Sequence, residues 1–144
     1  MFSLTEEAID TSTQINPRAG ARVVFEGIVR NHNEGLNVKS LEYSAYESMA
    51  IKEGQKIVDE ALDKFDVISG RCVHRIGHLQ ITDMAVWVEV YSEHRREAFE
   101  ACQYIIDEVK LRVPVWKREH YVDKKPEWVA CHRCQEAHEH HHHG

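Results

Sequence analysis

Apolar residues recur at helical spacing in two long stretches of the chain. In 47–65 they fall at Ala50, Gly54, Ile57, Val58, Ala61, Leu62 and Phe65, with charges on the opposite side, which predicts an amphipathic helix. In 92–112 the stripe is Ala98, Cys102, Ile105, Ile106 and Val109, with Ser92 placed to cap the N-terminus. Pro114 ends that second helix. A proline pushes the residue before it out of the α region, so the helix stops near Arg112 and an extended Val113-Pro114-Val115-Trp116-Lys117 leaves it.

The remaining pattern is that of strands and turns. Residues 2–4 predict a short strand and 5–9 a short helix capped by Thr5, before a turn at 16–20. The segment 21–30, ARVVFEGIVR, is rich in β-branched residues and predicts a strand, with Gly27 marking a bulge or a close approach. A polar loop, 31–35, leads to a second strand over 36–46, and its shortness predicts a hairpin between the two. A third strand is predicted over 67–76, with 78–81 extending the sheet to a turn at Thr82-Asp83. In 84–91, Met84, Val86, Val88 and Val90 alternate with Ala85, Trp87, Glu89 and Tyr91, as in a half-buried strand. Residues 113–129 predict two short strands around 123–126, anchored to the core by Trp116 and Trp128.

Length and composition fit one soluble globular domain over 1–130. The sequence holds no apolar run of membrane-spanning length, and its N-terminus has neither a basic nor an apolar leader region, so it reads as cytoplasmic. A net charge of −6 argues against general nucleic-acid binding. Cys72 and Cys102 fall inside apolar patterns and read as buried thiols. Residues 131–144 differ in character. Cys131, Cys134, His138 and His140 have the types and spacing of zinc ligands, but a disordered, metal-prone tail is the favoured reading over a structural zinc site.

Charge singles out 110–125. Six basic residues (Lys110, Arg112, Lys117, Arg118, Lys124, Lys125) face two acidic ones (Glu119, Asp123), a net of +4 in an acidic chain. Such an island can focus an anionic ligand. Each lysine alone is better explained as answering the helix dipole and otherwise facing water; for two lysines flanking one Pro-Val-Trp turn, a site is as good an explanation. His94 and Arg95, at the start of the second helix, oppose its dipole, a placement that anion binding would explain. Arg30 stands at a strand end beside a loop. His74 reads as a hydrogen-bonded structural histidine. At a rise of about 1.5 Å per residue, Arg95 and Lys110 are about 22 Å apart, so a single site using both needs two copies of the chain.

Taken in order, FEGIVRNHNEG (25–35), LEYSAYESMA (41–50), VHRIGHL (73–79), EHRREAFEA (93–101) and DEVKLRVPVWKRE (107–119), with Trp128-Val129, resemble the large, catalytic subunit of molybdopterin synthase. The resemblance covers most of 20–130. It implies an α+β chain of the α/β hammerhead type with an additional antiparallel sheet and two main helices, forming a homodimer within a heterotetramer. The implied partner is a small ubiquitin-like sulfur carrier with a C-terminal Gly-Gly thiocarboxylate. The implied substrate is cyclic pyranopterin monophosphate, converted to the molybdopterin dithiolene without a bound cofactor. Lys110 and Lys117 match the family's catalytic lysines. Ile28, Val29, Arg30, His94, Arg95, Arg118 and Glu119, with both lysines, match its substrate-binding positions. Arginine's planar fork suits the substrate phosphate, and a lysine among cations can exchange protons near neutral pH. Thr82 stands where the family often has glycine, Lys124-Lys125-Pro126 is more basic than usual, and the tail has no counterpart. Two alternatives are a non-catalytic binding module of the same fold and a metal-handling protein acting through the tail.

Overall fold

In the computed structural model, which describes residues 1–14, 16–122 and the backbone of 128–130, the two helical stripes are α1 (Glu47–Lys64) and α2 (Arg95–Arg112). Both pack on one face of a four-stranded sheet. That sheet contains β1 (Phe2–Thr5), β2 (Ala21–Ile28), β5 (Ser69–Arg75) and β7 (Met84–Ser92) in the order β1-β5-β7-β2. β1 runs parallel to β5, and the other pairs are antiparallel. A second sheet is built around β4 (Leu36–Ala45). β8 (Val115–Tyr121) lies on one side of it, followed by β9 (Trp128–Ala130); β3 (His32–Asn33) and β6 (Gly77–Gln80) pair with its other edge. This is the α+β arrangement with two main helices and an added antiparallel sheet.

The main core lies between the helices and the first sheet. Ala50, Ile57, Val58 and Ala61 of α1 and Ala98, Ala101, Cys102, Ile105, Ile106 and Val109 of α2 close on Cys72, Val86, Val88 and Val90. Both cysteines are buried thiols as expected, and burial pushes Cys72 up to about 12 and Cys102 up to about 11. A second cluster, Val29, Val38, Leu41, Leu79 and Ala85, joins the two sheets.

Several local expectations change in three dimensions. β7 is buried on both faces: Trp87 and Glu89 are 0% and 1% exposed. Its second face is covered by Arg22, Arg71 and the N-terminal segment, where Arg71 donates to the Ser12 carbonyl and the Tyr91 hydroxyl accepts from Gln14 N–H. Residues 5–9 form no helix. Thr5 belongs to β1, its carbonyl accepts from Ile76 N–H, and its hydroxyl makes only a local turn with Glu7 N–H. β2 and β4 do not form a hairpin. The chain leaves the first sheet at Val29, whose N–H and carbonyl bond to Asp83 and Thr82, and enters the second. The turn of the small β3–β4 hairpin uses Glu34 and Gly35, both at positive φ. Ser92 ends β7 and does not cap α2; its hydroxyl donates to the His94 carbonyl, and His94 holds the N-cap position without a side-chain bond. Trp116 is 37% exposed, since strand alternation turns it away from its buried neighbour Val115. The Trp128 side chain and the tail residues Cys131, Cys134, His138 and His140 lie outside the described residues. No helix among the described residues is long and apolar enough to cross a membrane.

Candidate active site

The two lysines are carried by elements that meet at Pro114. α2 closes with Val113 N–H on the Val109 carbonyl, and the Pro114 carbonyl accepts from Tyr46 N–H, which ties the turn to the start of α1. Lys110 is exposed in the last turn of α2, and Lys117 is half-buried as the third residue of β8. Across the ladder from Lys117 stands Tyr43 of β4. The Tyr43 ring makes a T-shaped contact with His74, at the end of β5, with centroids 5.0 Å apart and planes inclined by 72°. Burial pushes His74 down to about 4, and the neighbouring Lys110 charge acts in the same direction. Lys110 and Lys117 therefore approach one Tyr43–His74 pair from two elements.

Arg30 reaches the same end of the molecule. β2 and the start of β7 are paired there, Ile28 with Met84, and α2 runs back antiparallel to β7 to deliver Lys110. The Arg30 guanidinium donates to Asn33 Oδ1 at 3.5 Å, Asn33 Nδ2 donates to Glu119 Oε1 at 3.0 Å, and the Tyr121 hydroxyl donates to the same carboxylate oxygen at 2.6 Å. Burial, and then the bond to Glu119, raises the Tyr121 phenol. Glu119 lies two residues beyond Lys117, on the same face of β8. It is 8% exposed and positions Asn33 and Tyr121.

The other matched residues divide. Ile28 is 49% exposed beside the Gly27/Ile28 bulge. Val29 is 3% exposed in the second core cluster and its backbone groups are already bonded, so it supports Arg30 from beneath. Arg118 alternates to the opposite face from Lys117. There it donates to Glu42 at 2.6 Å and holds that carboxylate below its usual range. His120 lies 3.5 Å from the same Glu42 oxygen and stacks parallel on His78. Arg112 is also committed, to Glu53, Glu60 and Glu108. The basic island is thus partly neutralised among the described residues: Arg112 and Arg118 are held by carboxylates, while Lys110 and Lys117 stand on α2 and β8 beside the Tyr43–His74 contact. His94 and Arg95 are exposed at the far end of α2, and a single chain does not bring them to the lysines.

Tyr43, Asn33 and Tyr121 were not singled out in the sequence. Their only signal is alternation: Tyr43 shares the face of Leu41, and Tyr121 that of Lys117 and Glu119. Among the described residues, no group of three or more His, Cys, Asp or Glu side chains is placed to hold a metal ion.

Comparison with known proteins places this arrangement in a family. The MoaE protein family profile matches residues 2–112. The molybdopterin synthase catalytic subunit of Pyrococcus abyssi is 50% identical over 110 residues, which cover 76% of this chain and 74% of that protein. The corresponding subunit of Thermoplasma volcanium is 45% identical over 120 residues, covering 81% and 88%. The crystal structure of molybdopterin synthase from Staphylococcus aureus superposes with a TM-score of 0.82 at 41% identity, covering 88% of this chain and 94% of that one. With a profile match over most of its length and relatives this close, the chain belongs to the MoaE family, that of molybdopterin synthase catalytic subunits.

Proposed function

We propose that this chain is the catalytic subunit of a molybdopterin synthase. It moves sulfur from the thiocarboxylated C-terminus of a small ubiquitin-like carrier subunit to cyclic pyranopterin monophosphate, making the dithiolene of molybdopterin. The observation that carries the reading is the approach of Lys110 and Lys117, from α2 and β8, to one Tyr43–His74 pair at the end where Arg30 emerges.

The chemistry asks for what these residues offer. Each thiocarboxylate supplies one sulfur, so one dithiolene consumes two carriers. The sulfur bonds to a side-chain carbon of the pterin, and water takes its place on the carrier's acyl carbon to leave a carboxylate. Ammonium groups stabilise the negative oxygen formed as that acyl carbon is attacked, and they exchange protons with the oxygens that leave the substrate. Lys110, exposed at the helix end, is the principal acid and base and faces the carrier's C-terminus; Lys117 assists. Arg30 binds the cyclic phosphate, to which a guanidinium can present two parallel donors. His94 and Arg95 serve a site in a second copy, so the working unit is a homodimer that binds two carriers.

Reconstitution with thiocarboxylated carrier and cyclic pyranopterin monophosphate tests this. Product is expected from the wild type and a loss of about 100-fold or more from Lys110→Ala, in the range of a removed acid–base group. Because Lys110 is exposed, its removal is expected to leave the fold intact. Near-normal product from folded Lys110→Ala would overturn the assignment.

A further inference from the structure

The proposed reaction leaves one buried ionisable group at the site without a task. His74 is 8% exposed, and its Nδ1 lies 2.8 Å from the Arg75 carbonyl oxygen. A carbonyl can only accept, so Nδ1 carries the proton, and in the neutral ring Nε2 is a bare acceptor. The hydrogen bond His74 makes among the described residues is this one, through Nδ1, which leaves the Nε2 lone pair to be met by another donor. The ring is oriented by the Arg75 carbonyl and packs in a T-shaped contact with Tyr43.

The surroundings identify the donor that Nε2 awaits. β1 and β7 flank His74 in register with apolar partners, Leu4 and Val86. Its own strand continues to Arg75, whose guanidinium lies 3.6 Å from Asp83. β4 contributes Tyr43, whose ring contacts the imidazole, and β8 places Lys117 across the ladder from Tyr43. α2 contributes Lys110: Gly70, on the same buried face of β5 as His74, faces Ile105 of α2, and the helix runs on from Ile105 in the direction of His74 to Lys110, whose charge acts on the ring. A cation beside a buried imidazole disfavours a second positive charge there, and the same cation is the natural donor to an unshared lone pair.

Building on the sulfur-transfer reading, we propose that His74 is a positioning residue for Lys110: its fixed, unprotonated Nε2 accepts a hydrogen bond from the Lys110 ammonium and sets where that flexible side chain stands during the reaction. Four methylenes on an exposed helix end otherwise let Nζ sample many positions, and loss of reacting geometry is costly in rate.

Two substitutions separate this role from a structural one. The amide of His74→Asn can keep the Nδ1-type donation to Arg75 but lacks an atom at Nε2. His74→Gln reaches the Nε2 position with an acceptor oxygen and gives up the Nδ1 contact. In the reconstituted assay, His74→Gln is expected to stay within about threefold of wild type, and His74→Asn to lose about 10- to 100-fold in kcat with KM and carrier affinity unchanged, as for one hydrogen bond to a charged group. His74→Asn equal to or better than His74→Gln would overturn the proposal. A wild-type chain that makes no product would instead refute the sulfur-transfer reading. A measurement without turnover covers that case and the failure of either variant to fold. In the otherwise wild-type chain, the ¹⁵N resonance of His74 Nε2 is expected to be that of an unprotonated nitrogen and to move on Lys110→Met. A protonated Nε2, or one indifferent to Lys110, would overturn the proposal.

Discussion

Arg112 looked from its position like part of the basic site, and its substitution tests whether the structure is right to remove it. The guanidinium donates to both oxygens of Glu60 at 2.7 and 3.0 Å, to Glu53 at 2.8 Å and to Glu108 at 3.1 Å, so it pins the end of α2 to α1. It is the main reason, ahead of the Tyr104 hydroxyl, that the Glu60 carboxyl is lowered from 4.5 to about 2. At about 1.36 kcal/mol per pH unit that displacement corresponds to at most about 3 kcal/mol of pH-dependent stability. The Arg112 and Glu60 side chains are 25% and 32% exposed, and Tyr104 supplies part of the effect, so solvent screening reduces the Arg112 share to about 1–2 kcal/mol. Arg112→Met keeps the alkyl stem and removes the charge. Because the folded carboxyl is depressed, the stabilisation is complete above the unfolded value near 4.5 and is lost as pH falls through about 2. Urea unfolding at pH 7, 4 and 2.5 should show Arg112→Met less stable by about 1–2 kcal/mol at pH 7, with the deficit shrinking steadily below pH 4.5. A deficit as large at pH 2.5 as at pH 7 would refute the electrostatic account and assign Arg112's contribution to packing. Product formation by folded Arg112→Met should stay near wild type, since the residue's donors are all committed away from Lys110.

Other substitutions probe the fold that holds the site. Thr82 sits at φ 75°, a conformation β-branched residues avoid, so Thr82→Gly should raise stability by about 0.5–1 kcal/mol in urea melts after glycine's own entropy is subtracted. Glu89, 1% exposed, accepts from Arg22 at 2.7 Å and Arg71 at 2.9 Å; Glu89→Gln should cost about 3 kcal/mol, the low end for a broken buried pair because both arginines retain some solvent contact. A Cβ on Gly54 would lie 2.3 Å from the Phe2 ring, so Gly54→Ala should displace β1 and cost about 1–3 kcal/mol, read as a lowered urea midpoint.

Much of the architecture was legible because local physics decides it. Helical spacing gave α1 to within a residue, Pro114 fixed the end of α2 at Arg112, and Gly27 marked the bulge that releases β2. The ordered motifs, by resemblance, carried the family. Tertiary structure decided which strand lies beside which, because a strand's pattern states that it has an apolar face and is silent about what covers it. So β2 and β4 entered different sheets, and the N-terminal segment buried the second face of β7. Thr5 and Ser92 satisfied their backbones in sheet pairing and so never capped helices. The same limit governed the site. Charge and spacing put six cations in one stretch, but only strand alternation turned Arg118 away from Lys117 toward Glu42, and only helix packing gave Arg112 to three carboxylates. His74 and Tyr43 are 31 residues apart in sequence. Their contact, and the meeting of Lys110 and Lys117 around it, exists because long-range pairing of β4 with β8 and packing of α2 along β7 bring these elements to one end of the molecule.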